Sequence, residues 1–390
     1  MRPVSVLQSV EDPSTVENPN HSSPWASEAP VAIAGIATAV PDHLFGRDET
    51  REYLNKVFPL SESRTGMMLE VIENAQIEQR YCVFPVDYLI EPRPLGQVTR
   101  EYQEHAVVLA RRAAAECLER AGLLPREIDL IITVSCTGVL LPSTGAHLAN
   151  EMGFRPDVRR LPVTELGCAG GAAALGRAWD YLRGVREGNV LVIAVELPSL
   201  TFQRRDVTPA NLISSILFGD GAAAVALTRR AHSDSRLAGA PERAIRPRIL
   251  GVRSHLFPNS LDALGFDLKE TGFHIVLSKD MPQLVRENIR ALVDELIEGH
   301  GINREDLSAY ILHPGGAKLI VYIEEELGLC RSQTQYSWDV LRNYGNQSSA
   351  SVLFVLHEWI MKARMTAGEY GFLAAFGPGF STDMALLQWA

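Results

Sequence analysis

Apolar residues along this chain fall into short unbroken runs, separated by longer stretches in which they recur every three or four positions. Val31–Val40, Ile128–Ser135, Asn189–Glu196 and Ala222–Leu227 are runs of the first kind. They read as strands buried on both faces. Asp48–Val57 and Arg64–Asn74 have helical spacing, as does Thr99–Ala121, with Val107, Val108, Ala110, Ala114 and Leu118 along one face and Gly122 as its stop. A further helix over Asn211–Leu217 leads into the turn Phe218-Gly-Asp-Gly221. Strands alternating with helices predict an α/β architecture with largely parallel inner strands.

The second half of the chain repeats the first. Gly122-Leu-Leu-Pro-Arg-Glu-Ile-Asp before an apolar strand returns as Gly301-Ile-Asn-Arg-Glu-Asp-Leu-Ser before Ala309-Tyr-Ile-Leu312. Gly167-Cys168, opening a helix of small residues, returns as Gly345-Asn346-Gln-Ser-Ser-Ala, and Phe218-Gly-Asp-Gly221 returns as Phe376-Gly-Pro-Gly379. The offsets nearly agree, 179 residues from Gly122 to Gly301 and 178 from Cys168 to Asn346. A duplicated α/β unit places equivalent loops face to face about a pseudo-dyad, so Cys168 and Asn346 are expected to meet at its centre. The division expected is an N-terminal extension over 1–28, a first half over 29–240 and a second over 241–390. The extension carries little to bury and reads as mobile, and the polar Arg229–Arg246 stretch, with its Pro, Gly and Ser, reads as a linker.

Composition changes this picture only by exclusion. A net charge of −10 over 390 residues, with no Lys/Arg run, speaks against a nucleic-acid footprint. The five cysteines (Cys82, Cys117, Cys136, Cys168, Cys330) are odd in number, scattered and without C-x-x-C pairs. That is neither a disulfide framework nor a zinc site, and a reducing cytoplasm is the expected setting. No stretch approaches the roughly 20 apolar residues of a membrane span, and no signal pattern opens the chain.

The candidate chemistry lies at Leu161-Pro-Val-Thr-Glu-Leu-Gly-Cys168-Ala-Gly-Gly-Ala-Ala-Ala-Leu175. A thiol at a helix N-terminus is expected to have its pKa lowered toward neutrality. On this stretch alone a reactive and a structural cysteine remain equally open. The second half adds His313, ending a buried strand in Ile311-Leu-His-Pro-Gly-Gly316, and Asn346 at a helix start. Sites in α/β sheets lie outside the carboxyl ends of strands. There His313 would pair with and activate the Cys168 thiol, and His313 with Asn346 would donate to an oxygen that turns negative in the transition state.

With these motifs in order, the chain resembles the type III polyketide synthases, the chalcone and stilbene synthase group of the thiolase-like fold, over about residues 31–390. The resemblance implies duplicated βαβαβ halves in a five-layer αβαβα sandwich. It implies a homodimer that condenses an acyl-CoA starter with malonyl-CoA, with no metal or redox cofactor. It makes Cys168 the nucleophile, His313 and Asn346 the pair that binds the malonyl thioester oxygen, and Phe218 the aromatic gate between the CoA tunnel and the cavity. Cavity positions implied are Cys136, Thr137, Pro198, Thr201, Phe266 and Ser348, with Gly377, Pro378 and Gly379 as the cyclisation loop. Arg80 is implied as a CoA-phosphate contact at the tunnel mouth.

Two departures bear on the product. The naphthalene-forming bacterial branch tends to carry cysteine where Pro198 and Thr201 stand, and the plant enzymes have glycine where Phe266 stands. The Cys-Thr-Gly and Ser-Leu-Thr-Phe contexts look more like bacterial enzymes that take aliphatic starters to alkylpyrones or alkylresorcinols. A ketoacyl synthase of the initiating kind shares the trio, but usually has Gln-Ala-Asn after its histidine and Thr-Ser after its asparagine. His313-Pro-Gly-Gly and Asn346-Gln-Ser-Ser favour the polyketide synthase. A non-catalytic thiolase-like subunit, the third alternative, need not keep all three residues.

Overall fold

The computed structural model describes residues 30–58, 60–229 and 245–390. The expected extension over 1–28, most of the Arg229–Arg246 connection and the boundary at residue 240 lie outside the described residues.

The first half runs β1 (Val31–Ala39), β2 (His43–Gly46), α1 (Arg47–Val57), α2 (Glu62–Asn74), β3 (Gln79–Cys82), α3 (Val86–Leu89) and α4 (Leu95–Ala121). It continues with β4 (Leu130–Val134), α5 (Thr144–Glu151), β5 (Arg159–Val163), α6 (Gly170–Arg183), β6 (Gly188–Glu196), α7 (Pro209–Leu217) and β7 (Gly221–Arg229). The second half opens with β8 (Pro247–Leu256), the hairpin β9 (Leu264–Lys269) and β10 (Gly272–Leu277), α8 (Met281–Ile297) and β11 (Leu307–Leu312). It closes with α9 (Ala317–Leu327), α10 (Arg331–Tyr344), α11 (Ser351–Lys362), β12 (Tyr370–Gly377) and β13 (Ser381–Trp389).

Nine strands join in the order β11-β12-β13-β8-β1-β7-β6-β4-β5. The order is mirrored about β8 and β1, whose pairing is only Val31 with Ile249 and Ala32 with Arg248. On either side β7 answers β13, β6 answers β12 and β4 answers β11, which is the duplication expressed as topology; β5 has no counterpart. The expectation of largely parallel strands needs correction. Only β4–β5, β4–β6 and β11–β12 pair in parallel. The other pairs of the sheet are antiparallel; β12–β13 is a short-turn hairpin, whereas β1–β7 and β8–β13 join strands from opposite ends of each half and β6–β7 are separated by α7.

Helices α6 and α11 fill the layer between the two halves of the sheet, sharing one apolar core with strands of both. α4 covers the outer face of β1, β6 and β7, while α8 and α9 cover that of β12 and β13. Five layers result, a thiolase-like sandwich. The central helices approach so closely that a Cβ on Gly171 would lie 2.2 Å from the Ser349 carbonyl oxygen. The Gly-Gly-Ala-Ala-Ala start of α6 is thus a packing requirement as well as space beside the thiol.

α4 ends as expected, with Gly122 in the left-handed region at φ 64°. It begins earlier than expected because Pro94, held extended at its N-cap, starts the helix at Leu95. Its buried stripe is Ala106, Ala110, Ala113, Ala114 and Cys117, with Val108 facing outward.

Candidate active site

Four strand ends and one helix end converge on the centre of the sandwich: β4 runs out at Cys136, β6 at Pro198, β11 at His313, β12 at Pro378 and α7 at Phe218. Cys168 sits in a one-turn 3-10 segment, Gly167–Ala169, between β5 and α6. The approach demands a left-handed Gly167 at φ 48°.

Cys136, Thr137, Cys168, Pro198, Thr201, Phe218, Phe266, Ser348, Pro378 and Gly379 all line one cavity of about 410 Å³. Gly377 does not; it packs where a Cβ would meet the Leu166 carbonyl at 2.3 Å. His313 and Asn346 are buried but are not among the lining residues.

A chain of contacts connects the trio. The Cys168 thiol donates to Ser348 Oγ at 3.5 Å, and the Ser348 N–H donates to Asn346 Oδ1 at 2.8 Å. Asn346 Nδ2 donates to the Gly315 carbonyl at 3.4 Å, and the Gly315 N–H reaches back to the His313 carbonyl at 2.9 Å. Among the described residues no hydrogen bond joins Cys168 to His313, and His313 Nδ1 is buried without a partner. Cys168 and Asn346 thus meet near the pseudo-dyad through Ser348. Their equivalence is shifted, however, since Gly167–Ala169 leading into α6 matches Ser348–Ala350 leading into α11. The structural counterpart of Cys168 is Ser349.

Burial sets the charge states. It pushes the Cys168 thiol up to about 12, opposed by the Ser348 hydrogen bond and reinforced by the Glu196 carboxylate. This corrects the expectation of a thiol near neutrality: the helix terminus acts on one turn, whereas desolvation acts from every side. Burial likewise draws His313 down to about 3, so its imidazole is neutral. Cys136, 3.2 Å from the same Ser348 hydroxyl, is held well above the usual thiol range by burial and then by Glu196.

Arg80 also needs correction. It is 1 % exposed, and its guanidinium donates inward to the Phe218 carbonyl at 2.6 Å and to Thr50 Oγ1 at 3.3 Å. A side chain enclosed in this way is no tunnel-mouth contact for CoA phosphates.

Several site residues escaped the sequence reading. Leu261, Leu264, Phe273 and Ile275 form an apolar cavity wall around the β9–β10 hairpin, joined by Phe202, Asn211, Ser214, Thr164 and Glu165. Alternation in Leu264-Gly-Phe-Asp-Leu and Gly272-Phe-His-Ile-Val, period two about a Thr-Gly turn, was the available signal for the hairpin. Glu196 was visible as a carboxylate closing an apolar strand. Fully buried, it accepts from the Cys136 and Thr137 N–H groups, from Thr137 Oγ1 at 2.7 Å and from Ser349 Oγ. Burial holds it above the usual carboxylate range.

Comparison with known proteins gives the family. Residues 19–230 match the family model for the N-terminal domain of chalcone and stilbene synthases, and residues 249–389 that for the C-terminal domain. The chain is 35 % identical over 358 residues to a 1,3,6,8-tetrahydroxynaphthalene synthase of Streptomyces peucetius subsp. caesius, covering 92 % of this chain and 93 % of that one. It is 30 % identical over 349 residues to a phloroglucinol synthase of Pseudomonas fluorescens, covering 90 % and 96 %. The crystal structure of the tetrahydroxynaphthalene synthase of Streptomyces coelicolor superimposes with a TM-score of 0.85 at 33 % identity, covering 92 % of this chain and 99 % of that one. The chain belongs to the chalcone and stilbene synthase family, and is a type III polyketide synthase: an acyltransferase that catalyses decarboxylative Claisen condensation.

Proposed function

We propose that this type III polyketide synthase loads an aliphatic acyl-CoA starter on Cys168, extends it with malonyl-CoA and releases an alkylpyrone or alkylresorcinol. One observation carries the starter class. The cavity at Cys168 is walled by Leu264, Phe266, Phe273 and Ile275 and lined at its edge by Leu261, which is 79 % exposed. An alkyl chain leaving the sulfur along that wall gains apolar burial and leaves no polar group unpaired.

Cys168 gives up its proton as the acyl-CoA arrives, with the neutral His313 imidazole as acceptor. The sulfur then attacks the thioester carbon, and the CoA thiol leaves with a proton. Malonyl-CoA loses carbon dioxide to leave an enolate, whose oxygen takes hydrogen bonds from His313 and Asn346. The Asn346 amide currently spends Nδ2 on a long 3.4 Å bond to Gly315, which it can surrender. The enolate carbon attacks the Cys168 thioester; a carbon–carbon bond forms, the carbon–sulfur bond breaks and the thiolate returns. No electron acceptor enters these steps, and the oxyanion is served by His313 and Asn346, so we assign no redox cofactor and no metal. Pro378 and Gly379 shape the wall against which the chain folds to cyclise.

We assign a homodimer on the open edge of β5 and on the adjoining apolar surface, where Leu141 is 90 % exposed and Val139 and Leu161 are also exposed. The five cysteines are free thiols, which suits a reducing cytoplasm. No described helix is long and apolar enough to cross a membrane.

The deciding experiment feeds labelled malonyl-CoA and acyl-CoA starters from acetyl to long-chain and aromatic, with products resolved by mass. Pyrones or resorcinols from fatty acyl-CoA, abolished in Cys168→Ala, are expected. Product from malonyl-CoA alone overturns the starter class. Condensation only on malonyl-carrier protein overturns the use of CoA thioesters.

A further inference from the structure

The most anomalous buried charge outside the chemistry just described is Arg80. Among the described residues it makes no contact ion pair; the buried Asp220 carboxylate acts on it only from beyond salt-bridge distance, and its Nε is buried without a partner. Enclosing a guanidinium in this way is costly, which points to a purpose for the donors it does use. Two of its nitrogens are spent on one backbone carbonyl and one hydroxyl, those of Phe218 and Thr50. Its Cζ lies over the Phe45 ring, 5.8 Å from the centroid, and over the ring of Phe202, itself a cavity-wall residue, 6.0 Å from the centroid.

The carbonyl it holds belongs to the segment joined to Asn346. Phe218 and Asn346 form an isolated parallel bridge. The Asn346 N–H donates to the Leu217 carbonyl at 2.8 Å, and the Gly219 N–H donates to the Asn346 carbonyl at 3.0 Å. Arg80 lies directly beneath this bridge: a Cβ on Gly219 would meet Arg80 Cβ at 3.0 Å. The same loop is anchored on its other side, where the Asp220 N–H donates to the Tyr81 carbonyl and the Asp220 carboxylate accepts from the Val83 N–H.

We propose that Arg80 is a positioning residue: by gripping the Phe218 carbonyl from below, it holds the gate in register with Asn346. This rests on the reading of Phe218 as gate and Asn346 as donor to the enolate oxygen. The enolate forms beside the gate and must reach the Cys168 thioester before water protonates it. A gate displaced from Asn346 leaves decarboxylation running while condensation fails.

The readout is therefore the ratio of carbon dioxide released to carbon–carbon bonds formed, which partial unfolding does not move because it lowers both together. In Arg80→Met this ratio rises about tenfold, the loss of one charge-assisted hydrogen bond, with kcat for condensation falling and KM for malonyl-CoA within about twofold. Arg80→Lys restores part of the coupling, since an ammonium can reach the Phe218 carbonyl without the second arm. Thr50→Val, which removes only that arm, raises the ratio about twofold. Should Arg80→Met not fold, the lysine and Thr50 variants decide. A wild-type ratio in both, or an unchanged ratio in a folded Arg80→Met, overturns the proposal. Phe218→Ala separates the two readings: if it leaves the ratio unchanged the gate itself is wrong, and if it raises the ratio while the Arg80 and Thr50 variants do not, only the role of Arg80 falls.

Discussion

The two central turns of the molecule share a backbone path and differ in what they carry. In the first half Gly167 at φ 48° opens the 3-10 turn that leads into α6; in the second Ser348 at φ 51° opens the 3-10 turn that leads into α11. Glycine takes that conformation freely, whereas serine there costs on the order of 1 kcal/mol. The serine brings a hydroxyl within 3.5 Å of Cys168 and 3.2 Å of Cys136, which glycine could not supply. Position for position the thiol faces another serine, Ser349, whose hydroxyl goes to Glu196 instead. Duplication thus supplied two superposable supports, and the chemistry arose by making them unequal. The first bears the nucleophile; the second and its neighbour strand bear the hydroxyl, the amide and the imidazole.

If the second half serves the oxyanion, its loss should cost most. His313→Asn is expected to lower condensation about 10²–10³-fold while iodoacetamide still alkylates Cys168. An equal loss of alkylation would mean that His313 already activates the thiol in the substrate-free enzyme, before any acyl-CoA arrives. Next comes the contact between the turns: Gly171→Ala places a Cβ 2.2 Å from the Ser349 carbonyl and should destabilise by about 3 kcal/mol in urea titration. Gly176→Ala on the same helix meets nothing nearer than 3.8 Å and should gain about 0.5–1 kcal/mol. Equal midpoints for the two would deny the close packing.

Burial of the thiol has a signed consequence with pH. With Cys168 pushed up to about 12, the thiolate fraction, and with it the alkylation rate in substrate-free enzyme, should climb about tenfold per pH unit between 7 and 9. A plateau below pH 8 would mean that the helix terminus outweighs desolvation. The smallest effect belongs to the strained serine. Ser348→Gly should leave the melting temperature level or raise it, a gain under about 1 kcal/mol, while the product mixture changes. A marked drop in stability would instead make the hydroxyl structural.

What could be read in advance was local. Strand–turn–helix repeats, Gly122 as a helix stop, His313 at a strand end and the small residues after Cys168 all follow from backbone rules that act over a few positions. Arg80 in Gln-Arg-Tyr looks the same whether it faces phosphate or a buried carbonyl, because nothing within ten residues says that Phe218 will lie above it. The hairpin wall was legible as alternation, but not as the side of a cavity shared with Cys136, which lies 128 residues before Leu264 in the chain.

By itself, then, the sequence determined the duplicated α/β architecture, the family and the residue types brought to the centre, since these rest on periodicity and on motifs whose geometry is short-range. Only the tertiary structure decided which side chains share the cavity, that Cys168 matches Ser349 and not Asn346, and that Arg80 grips the gate from within. It also decided that the thiol and the imidazole are neutral before substrate arrives. Desolvation and packing are sums over everything that surrounds a group, and most of what surrounds these groups comes from the other half of the chain.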